Sequence, residues 1–253
     1  MNASNDLPRT CLITGASGGV ATALATRLRA EGWRLALVGR DRGRLAPEET
    51  DVAIEADVST EAGARLAFDA AKAAFGRAPD AVVNCAGAVL VAPIGRTGES
   101  QYRECLSANL DTAFFVSRAY IGDLQTEKRG GALVFFSSVA AGVGVANHPA
   151  IAAAKGGIEA LARALAADGA GLGLRVNAIA PGLMETPATA KFVSSDLARR
   201  AVSAQYPLGR HGAAEDAAAL AAFLISPNAG WISGQTIAVD GGFLGVRPTV
   251  KVS

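Results

Sequence analysis

The chain has 253 residues, of which 50% are hydrophobic and 19% are charged, and its formal net charge is +1. This length and aliphatic content exclude a disordered chain and suit an α/β domain with a large core. The near-neutral charge, with no basic run, argues against nucleic acid as a partner.

Neither a metal site nor a membrane segment is expected. The three cysteines, Cys11, Cys85 and Cys105, are widely spaced and form no CxxC pair, which fits neither a zinc site nor a disulfide framework. Residues 1–9 are polar and lack the apolar segment of a secretory signal, and no apolar stretch is long enough to span a bilayer. A cytoplasmic protein is therefore expected.

Short aliphatic runs alternate with amphipathic segments along the chain. The runs predict strands at 10–14, 34–38, 51–56, 81–84, 132–136, 174–180 and 235–239. The amphipathic segments predict helices at 20–30, 61–74, 101–124, 150–168 and 213–225. Strict alternation is typical of parallel strands joined by helical crossovers. We expect one Rossmann-like, doubly wound α/β domain of about seven strands over residues 1–253, its tail from 241 onward forming a loop or an oligomer contact.

A glycine-rich turn follows the first predicted strand. Residues 14–21 read TGASGGVA and precede a helix. Glycines there let backbone N–H groups approach a pyrophosphate, and the helix N-terminus favours its negative charge. The spacing differs from GxGxxG, and a tight turn that merely needs glycines remains the alternative.

The end of the second predicted strand indicates which dinucleotide binds. It lies about 24 residues after Gly15, where an acid reads the 2′-hydroxyl of NAD and an arginine accepts the 2′-phosphate of NADP. Gly39 stands where the acid would be, whereas Arg40 and Arg42 bring positive charge. Asp41 is the argument for NAD(H). NADP(H) is the favoured expectation.

These residues, with several further motifs, resemble the short-chain dehydrogenase/reductase family across nearly the whole chain. The shared motifs are Asp57-Val58, Asn84-Cys85-Ala86-Gly87, Asn109, Ser138, Lys155, Pro181-Gly182 with Thr186, and Asp240-Gly241-Gly242. The resemblance implies that the cofactor is bound by Gly15, Ser17, Gly19, Val20, Arg40, Asp57, Val58, Asn84, Ala86, Gly87, Lys155, Pro181, Gly182 and Thr186. It also implies a homotetramer assembled through the long helices predicted at 101–124 and 150–168 and through the C-terminal end.

The catalytic positions depart from the family. The resemblance implies that Ser138 orients the substrate oxygen, that Lys155 holds the ribose and that Asn109 positions a water. The family's tyrosine would stand thirteen residues after Ser138, where this chain has Ile151. Loss of a positioned general acid typically costs about 10²–10⁴ in rate. Tyr206 is one candidate replacement.

His148 is the other candidate acid. It lies seven residues before Lys155, the offset at which enoyl-thioester reductases of the same superfamily carry their acid. The sequence Asn147-His148-Pro149 is typical of a helix start, where the dipole favours neutral imidazole. A neutral ring can donate one hydrogen bond to an oxyanion. His148 could equally be a simple helix cap, and His211 is expected to be a surface residue without a role.

Two functions therefore compete. The first is an NADP(H)-dependent reductase that transfers hydride to a carbonyl or an activated C=C bond, with proton supply from His148 or from water near Asn109 and Lys155. The second is a catalytically silent NADP(H)-binding sensor or scaffold, motivated by Ile151. The retained Ser138, Lys155 and Asn109 favour the enzyme.

Overall fold

The computed structural model describes residues 8–247. Seven parallel strands form one sheet in the order β3-β2-β1-β4-β5-β6-β9. Their bounds are β1 Thr10–Thr14, β2 Arg34–Gly39, β3 Val52–Glu55, β4 Ala81–Asn84, β5 Gly131–Phe136, β6 Leu174–Pro181 and β9 Thr236–Val239. A separate parallel pair joins β7 Met184–Glu185 to β8 Gly212–Ala213. The expected doubly wound α/β fold of seven strands is confirmed.

Helices cover both faces of the sheet. They are α1 Gly19–Ala30, α2 Glu61–Phe75, α3 Glu99–Leu106, α4 Thr112–Glu127, α5 Val139–Gly142, α6 Pro149–Asp168, α7 Asp196–Ser203 and α8 Ala214–Ile225. The core of one face includes Leu24 and Leu28 of α1 with Ala218 of α8. The core of the other includes Phe68 of α2 and Ile158 of α6. A strand that is buried on both faces is a continuous aliphatic run in the sequence. The predicted ends of the seven strands therefore lie within one residue of the observed ends.

The predicted helix at 101–124 has an interruption that its sequence does not announce. A π-helical turn, Ser107–Asp111, separates α3 from α4. The buried Asn109 lies in this turn and donates through Nδ2 to the carbonyls of Cys105, at 2.8 Å, and Ala88, at 3.1 Å. Such turns are frequent at functional sites. The short elements α5, α7, β7 and β8 were also not predicted, because they contain too few residues for a periodic signal.

The sheet order reverses between β1 and β4, whose carboxyl ends meet there. In open α/β sheets, ligands bind in the crevice at this switch point. Of the predicted tail, residues 241–247 form a turn held by Asp240, and residues 248–253 lie outside the described residues, as do residues 1–7. Within 8–247, no helix has the length and apolar character needed to cross a membrane.

Candidate active site

The turn after β1 requires glycine at its first position. Gly15 has φ +60°, and a Cβ built on it would lie 2.7 Å from the backbone N and Cα of Ala86. Thr14 Oγ1 accepts from the N–H of Ala86 at 3.2 Å and donates to Asn84 Oδ1 at 2.5 Å. The ends of β1 and β4 are thus held together, and the turn is pressed onto the loop after β4. Any other residue at position 15 would be strained by the positive φ, and its side chain would collide with Ala86.

A cavity of about 1010 Å³ opens at this switch point. Its lining includes these residues predicted to bind the cofactor: Gly15, Ser17, Gly19, Arg40, Asp57, Val58, Ala86 and Gly87. The glycine-rich turn, the N-terminus of α1 and the size of the cavity together fit a dinucleotide.

Six other predicted cofactor residues do not line this cavity. Asn84 is buried beneath it and bonded to Thr14, and Val20 lies in the first turn of α1. Pro181 ends β6, and Gly182 faces Tyr206, whose Cε1 would lie 2.8 Å from a Cβ at that glycine. Gly182 and Tyr206 both line a second cavity, of about 380 Å³. The remaining two, Lys155 and Thr186, lie beside Gly87 and Gly19, which line the first cavity.

The outer end of the first cavity carries two arginines. Arg40 and Arg44 line it, and Arg42 does not. Of the two arginines that the sequence analysis names, Arg40 therefore lies at the cavity and Arg42 does not, because the short 3₁₀ turn Arg42–Arg44 carries Arg44 round to it. Asp41 begins that turn, where its Oδ1 accepts from the N–H of Gly43 at 2.9 Å. Asp41, the acid that favours NAD, also lines the cavity, with one of its two carboxylate oxygens engaged in its own loop.

Asp57 lies at the same end of the cavity. Its Oδ1 accepts from Ser59 Oγ at 2.7 Å and from the Ser59 N–H at 3.0 Å. The Ser59 hydroxyl lowers the pKa of this carboxyl, and the nearby Arg40 guanidinium contributes in the same direction. Asp57 therefore stays ionised and accepts hydrogen bonds at neutral pH.

Lys155 is a buried cation at the inner end of the site. Its Nζ donates to the carbonyl of Phe136 at 2.8 Å, and burial lowers the pKa of the ammonium group to about 8. A Cβ at Gly87 would lie 3.4 Å from this Nζ and 2.8 Å from Oδ1 of Asn109. Lys155 and Asn109 therefore converge on Gly87. The amide of Asn109 is occupied by backbone groups, so its side chain fixes the loop after β4.

The two adjacent serines after β5 have opposite surroundings. Ser137 is buried and its Oγ donates to Glu159 Oε1 of α6 at 2.6 Å. Ser138 is half-buried and its Oγ accepts from the N–H of Ala140 at 3.2 Å, which caps α5. A hydroxyl that accepts at a cap retains its own O–H for a ligand. Within residues 8–247, the hydroxyl hydrogen of Ser138 has no acceptor, whereas that of Ser137 is donated to Glu159.

The position of the family's tyrosine is closed by apolar groups. Ile151 is 5% exposed and belongs to a cluster with Cys105, Ala150 and Ala154, against which Leu90 packs. Leu90 and Cys105 also line the cavity. Ile151 therefore helps to shape this end of the site, and it cannot donate a proton as the family's tyrosine would.

His148 has its proton position determined by a backbone carbonyl. It precedes α6 as the predicted cap, but its side chain makes no capping bond. Its Nδ1 lies 2.6 Å from the oxygen of Ala146. Because a carbonyl can only accept, Nδ1 carries the proton, and Nε2 of the neutral ring is an acceptor. This differs from the expected neutral donor: His148 donates to a ligand through Nε2 only when the ring is charged. The residue does not line either cavity described above.

None of the three tyrosines lines the first cavity, and Tyr206 lines the second. Tyr120 is fully buried and donates to the carbonyl of Asp80 at 3.0 Å. Tyr206 is buried, and its hydroxyl oxygen accepts from the N–H of Leu183 at 2.7 Å. Burial raises the pKa of Tyr206. The 38%-exposed Tyr102 lies on α3, and it does not line the cavity.

The segment after β7 reaches the glycine turn. A Cβ at Gly19 would lie 2.9 Å from Cγ2 of Thr186 and 3.3 Å from Cδ of Pro187. Glu185, just before them, pairs with both terminal nitrogens of Arg199 at 2.6 and 2.7 Å and lies 3.0 Å from Nε2 of His211. Arg199 and His211 hold the pKa of Glu185 at about 2.

His211 is thus an anchor of this segment and not the free surface residue expected. Its side chain is only 10% exposed, and Nδ1 lies 3.0 Å from Ser203 Oγ of α7. The partners are distant in sequence, so no local signal could have found this cluster.

Comparisons with known proteins agree with this geometry. A family model described as enoyl-(acyl carrier protein) reductase matches residues 15–244. The 3beta-hydroxysteroid dehydrogenase 1 of Eggerthella lenta is 35% identical over 92% of this chain and 93% of its own length. A short-chain type dehydrogenase/reductase from Mycobacterium ulcerans has a TM-score of 0.87 and 29% identity, covering 93% of this chain and 90% of that chain. The 3-ketoacyl-(acyl-carrier-protein) reductase from Brucella melitensis, complexed with NADH, has a TM-score of 0.85 and 28% identity, covering 93% and 98%.

The likeness extends over the sheet, the glycine turn and the catalytic end, and is not confined to the nucleotide-binding half. The cavity at the switch point and the neighbouring Lys155 suit a nicotinamide dinucleotide, and the Brucella melitensis reductase is complexed with NADH. The chain belongs to the short-chain dehydrogenase/reductase family of oxidoreductases.

Proposed function

We propose that this protein is an NADP(H)-dependent oxidoreductase that transfers hydride to a carbonyl or an activated C=C bond. The observation that carries the cofactor choice is the pair Arg40 and Arg44, which place two positive charges against the single carboxylate of Asp41 at the outer end of the cavity. Two guanidinium groups suit a 2′-phosphate, since arginine binds phosphate through several N–H donors.

The inner end supports hydride transfer. A bound nicotinamide supplies the hydride, and the family relatives named above act on keto, hydroxy or enoyl groups. Ser138 keeps an O–H with which to hold a substrate oxygen. Lys155 uses one of its three N–H donors on Phe136, which leaves two for ribose hydroxyls.

Proton supply depends on groups other than a tyrosine. Burial lowers the pKa of Lys155 to about 8, so near neutral pH this ammonium group holds a transferable proton. His148 can donate only as an imidazolium, because its Nδ1 proton is directed to Ala146. Lys155, directly or through a water, is therefore the proton source that the geometry favours for reduction, and neutral His148 is suited to accept a proton during alcohol oxidation.

Cofactor choice is tested with Arg44→Ser and, as a matched control, Arg42→Ser. Both remove one arginine from the same 3₁₀ turn, but only Arg44 lines the cavity. Binding of NADPH and NADH is followed by fluorescence titration. We expect Arg44→Ser to raise the Kd for NADPH by about tenfold or more without changing that for NADH, as loss of a charge-assisted bond predicts. Equal effects of the two substitutions would contradict the assignment.

Catalysis is tested by NADPH consumption with ketones and enoyl thioesters, using wild type and His148→Ala. The roles above predict that His148→Ala keeps its rate of substrate reduction and oxidises the product alcohol more slowly than the wild type. Collapse of reduction in the variant would make His148 the acid instead.

A silent NADP(H)-binding sensor or scaffold is the second candidate. Its supporting observation is that Ile151 fills the tyrosine position with a well-packed apolar side chain. NADPH that binds tightly, with no member of the substrate panel oxidising it, would favour this alternative.

The proposed assembly follows from the resemblance alone. We propose a homotetramer, built through the helices α4 and α6, in the cytoplasm. Sedimentation velocity of the purified chain measures the first, and a dimer or monomer would contradict it.

A further inference from the structure

Three loops at the catalytic end carry no charged residue. They are the uncharged segments 86–95 after β4, 137–147 after β5 and 241–246 after β9. Thirteen large hydrophobic side chains are exposed in the described chain, and six of them lie on these loops: Val89, Val91, Ile94, Val143, Leu244 and Val246. We call these six side chains the apolar rim. Exposed apolar side chains that lie together in this way often mark a binding surface.

Direct contacts join the three loops. The N–H of Ala92 donates to the carbonyl of Asn147 at 2.8 Å, which ties the first loop to the second. A Cβ at Gly142 would lie 3.4 Å from Cδ1 of Leu244, which places the third loop against the end of α5. The apolar rim is therefore one surface contributed by three segments.

The rim continues into the candidate active site. Ser138 caps α5, and Val143 follows that helix directly. On the other side, Val89 and Leu90 line the cofactor cavity, and Leu90 packs against the cluster of Ile151. Ser138 is not part of the cavity lining, but a molecule held by its hydroxyl beside α5 would have the rim against its remaining atoms.

We propose that the substrate of this site is a small, uncharged, lipophilic ketone or secondary alcohol, and not a carboxylate or a phosphate-bearing thioester. This inference rests on the proposed function. An anionic tail lying along segments 86–95, 137–147 and 241–246 would lose water without meeting a counter-charge from them, whereas an alkyl chain would bury apolar surface. Positive charge resumes only at the ends of these segments, at Arg96 and Arg247.

The test measures binding of a homologous series by isothermal titration calorimetry, on the full chain with and without NADP⁺. The probes are the 2-alkanones from 2-pentanone to 2-octanone, 7-oxooctanoate as the charged match of the last, and acetoacetyl-CoA. We expect Kd to fall about fourfold for each added methylene. The neutral octanone should bind at least tenfold more tightly than its carboxylate. A flat series, or tighter binding of the carboxylate or the CoA thioester, overturns the proposal.

Matched variants locate the effect on the rim. Leu244→Asp places a carboxylate on the rim, and Leu66→Asp makes the same change on the exposed face of α2, away from the site. We expect the dependence on chain length to flatten in Leu244→Asp alone. An equal response of both variants, or of neither, contradicts the rim as the binding surface. Because these are binding measurements, they give their answer even if hydride transfer or cofactor binding fails, and so separate this proposal from the proposed function.

Discussion

Lys155 carries a buried ammonium group whose one hydrogen-bond partner within residues 8–247 is the carbonyl of Phe136. No carboxylate of the described chain forms a salt bridge with it. Burial lowers its pKa from the ordinary 10.5 to about 8. A basic group with a lowered pKa in the folded state destabilises the fold wherever it is charged. The destabilisation is absent above pH 10.5, the pKa of this lysine in the unfolded chain. It grows as the pH falls towards about 8, the pKa in the folded chain, and is complete below that pH.

Lys155→Met removes the charge and keeps most of the side-chain volume. From the two pKa values, the charge costs the wild type about 3 kcal/mol of folding free energy at pH 7 and less than about 1 kcal/mol at pH 10. Loss of the bond to Phe136 leaves a buried carbonyl without its partner, which costs about 1–3 kcal/mol at either pH. The difference between variant and wild type should therefore move by about 2.5 kcal/mol between the two pH values, in the direction that favours the variant at pH 7.

Urea unfolding at pH 7 and pH 10 measures this difference, because the term from the lost hydrogen bond cancels between the two conditions. Lys191→Met is the control, since Lys191 is exposed and its replacement should give a difference that does not depend on pH. A pH-independent difference for Lys155→Met as well would refute the burial reasoning. NADPH titration of the same variant should show weakened binding, because the donors for the ribose are lost.

Three further outcomes are expected. Ile151→Tyr should raise ketone reduction by about 10²-fold or more if the site is otherwise intact, measured as NADPH oxidation; no gain would place the chemistry outside the family's usual carbonyl reduction. Gly15→Ala should lower the free energy of unfolding, measured by urea titration, by well over the ~1–2 kcal/mol that a positive φ costs a residue with a side chain. Gly32→Ala is the control: Gly32 has φ +78° and nothing within 4 Å of the new Cβ, so it should show that conformational cost alone. Glu185→Gln should speed limited proteolysis within residues 183–205, and Asp216→Asn, which breaks the neighbouring pair with Arg210, should not; equal cleavage rates would contradict the anchoring role of Glu185.

Much of the nucleotide half could be predicted because its signals are local. The alternation of aliphatic runs and amphipathic segments follows from strands buried on both faces, and each predicted strand end lies within one residue of the observed one. Gly15 could be predicted for the same reason, since the residue that must adopt positive φ stands directly between a strand and a helix.

The arginines show where local reasoning stops. Arg40, Arg42 and Arg44 look equivalent in the sequence, and only the pitch of one 3₁₀ turn brings Arg44 and not Arg42 to the cavity. The two serines after β5 are a similar case, since the pleat directs Ser137 to Glu159 and leaves Ser138 with a free hydroxyl.

The sequence by itself determined the sheet, the glycine turn and the absence of a tyrosine at Ile151, because each depends on residue type and on spacing along the chain. Only the tertiary structure decided the tautomer of His148, the burial that lowers the pKa of Lys155, and the anchoring of Glu185 by Arg199 and His211. These properties depend on which backbone carbonyls, charges and apolar groups the fold brings within a few ångströms, and, except for Ala146 beside His148, those neighbours are far apart in the chain.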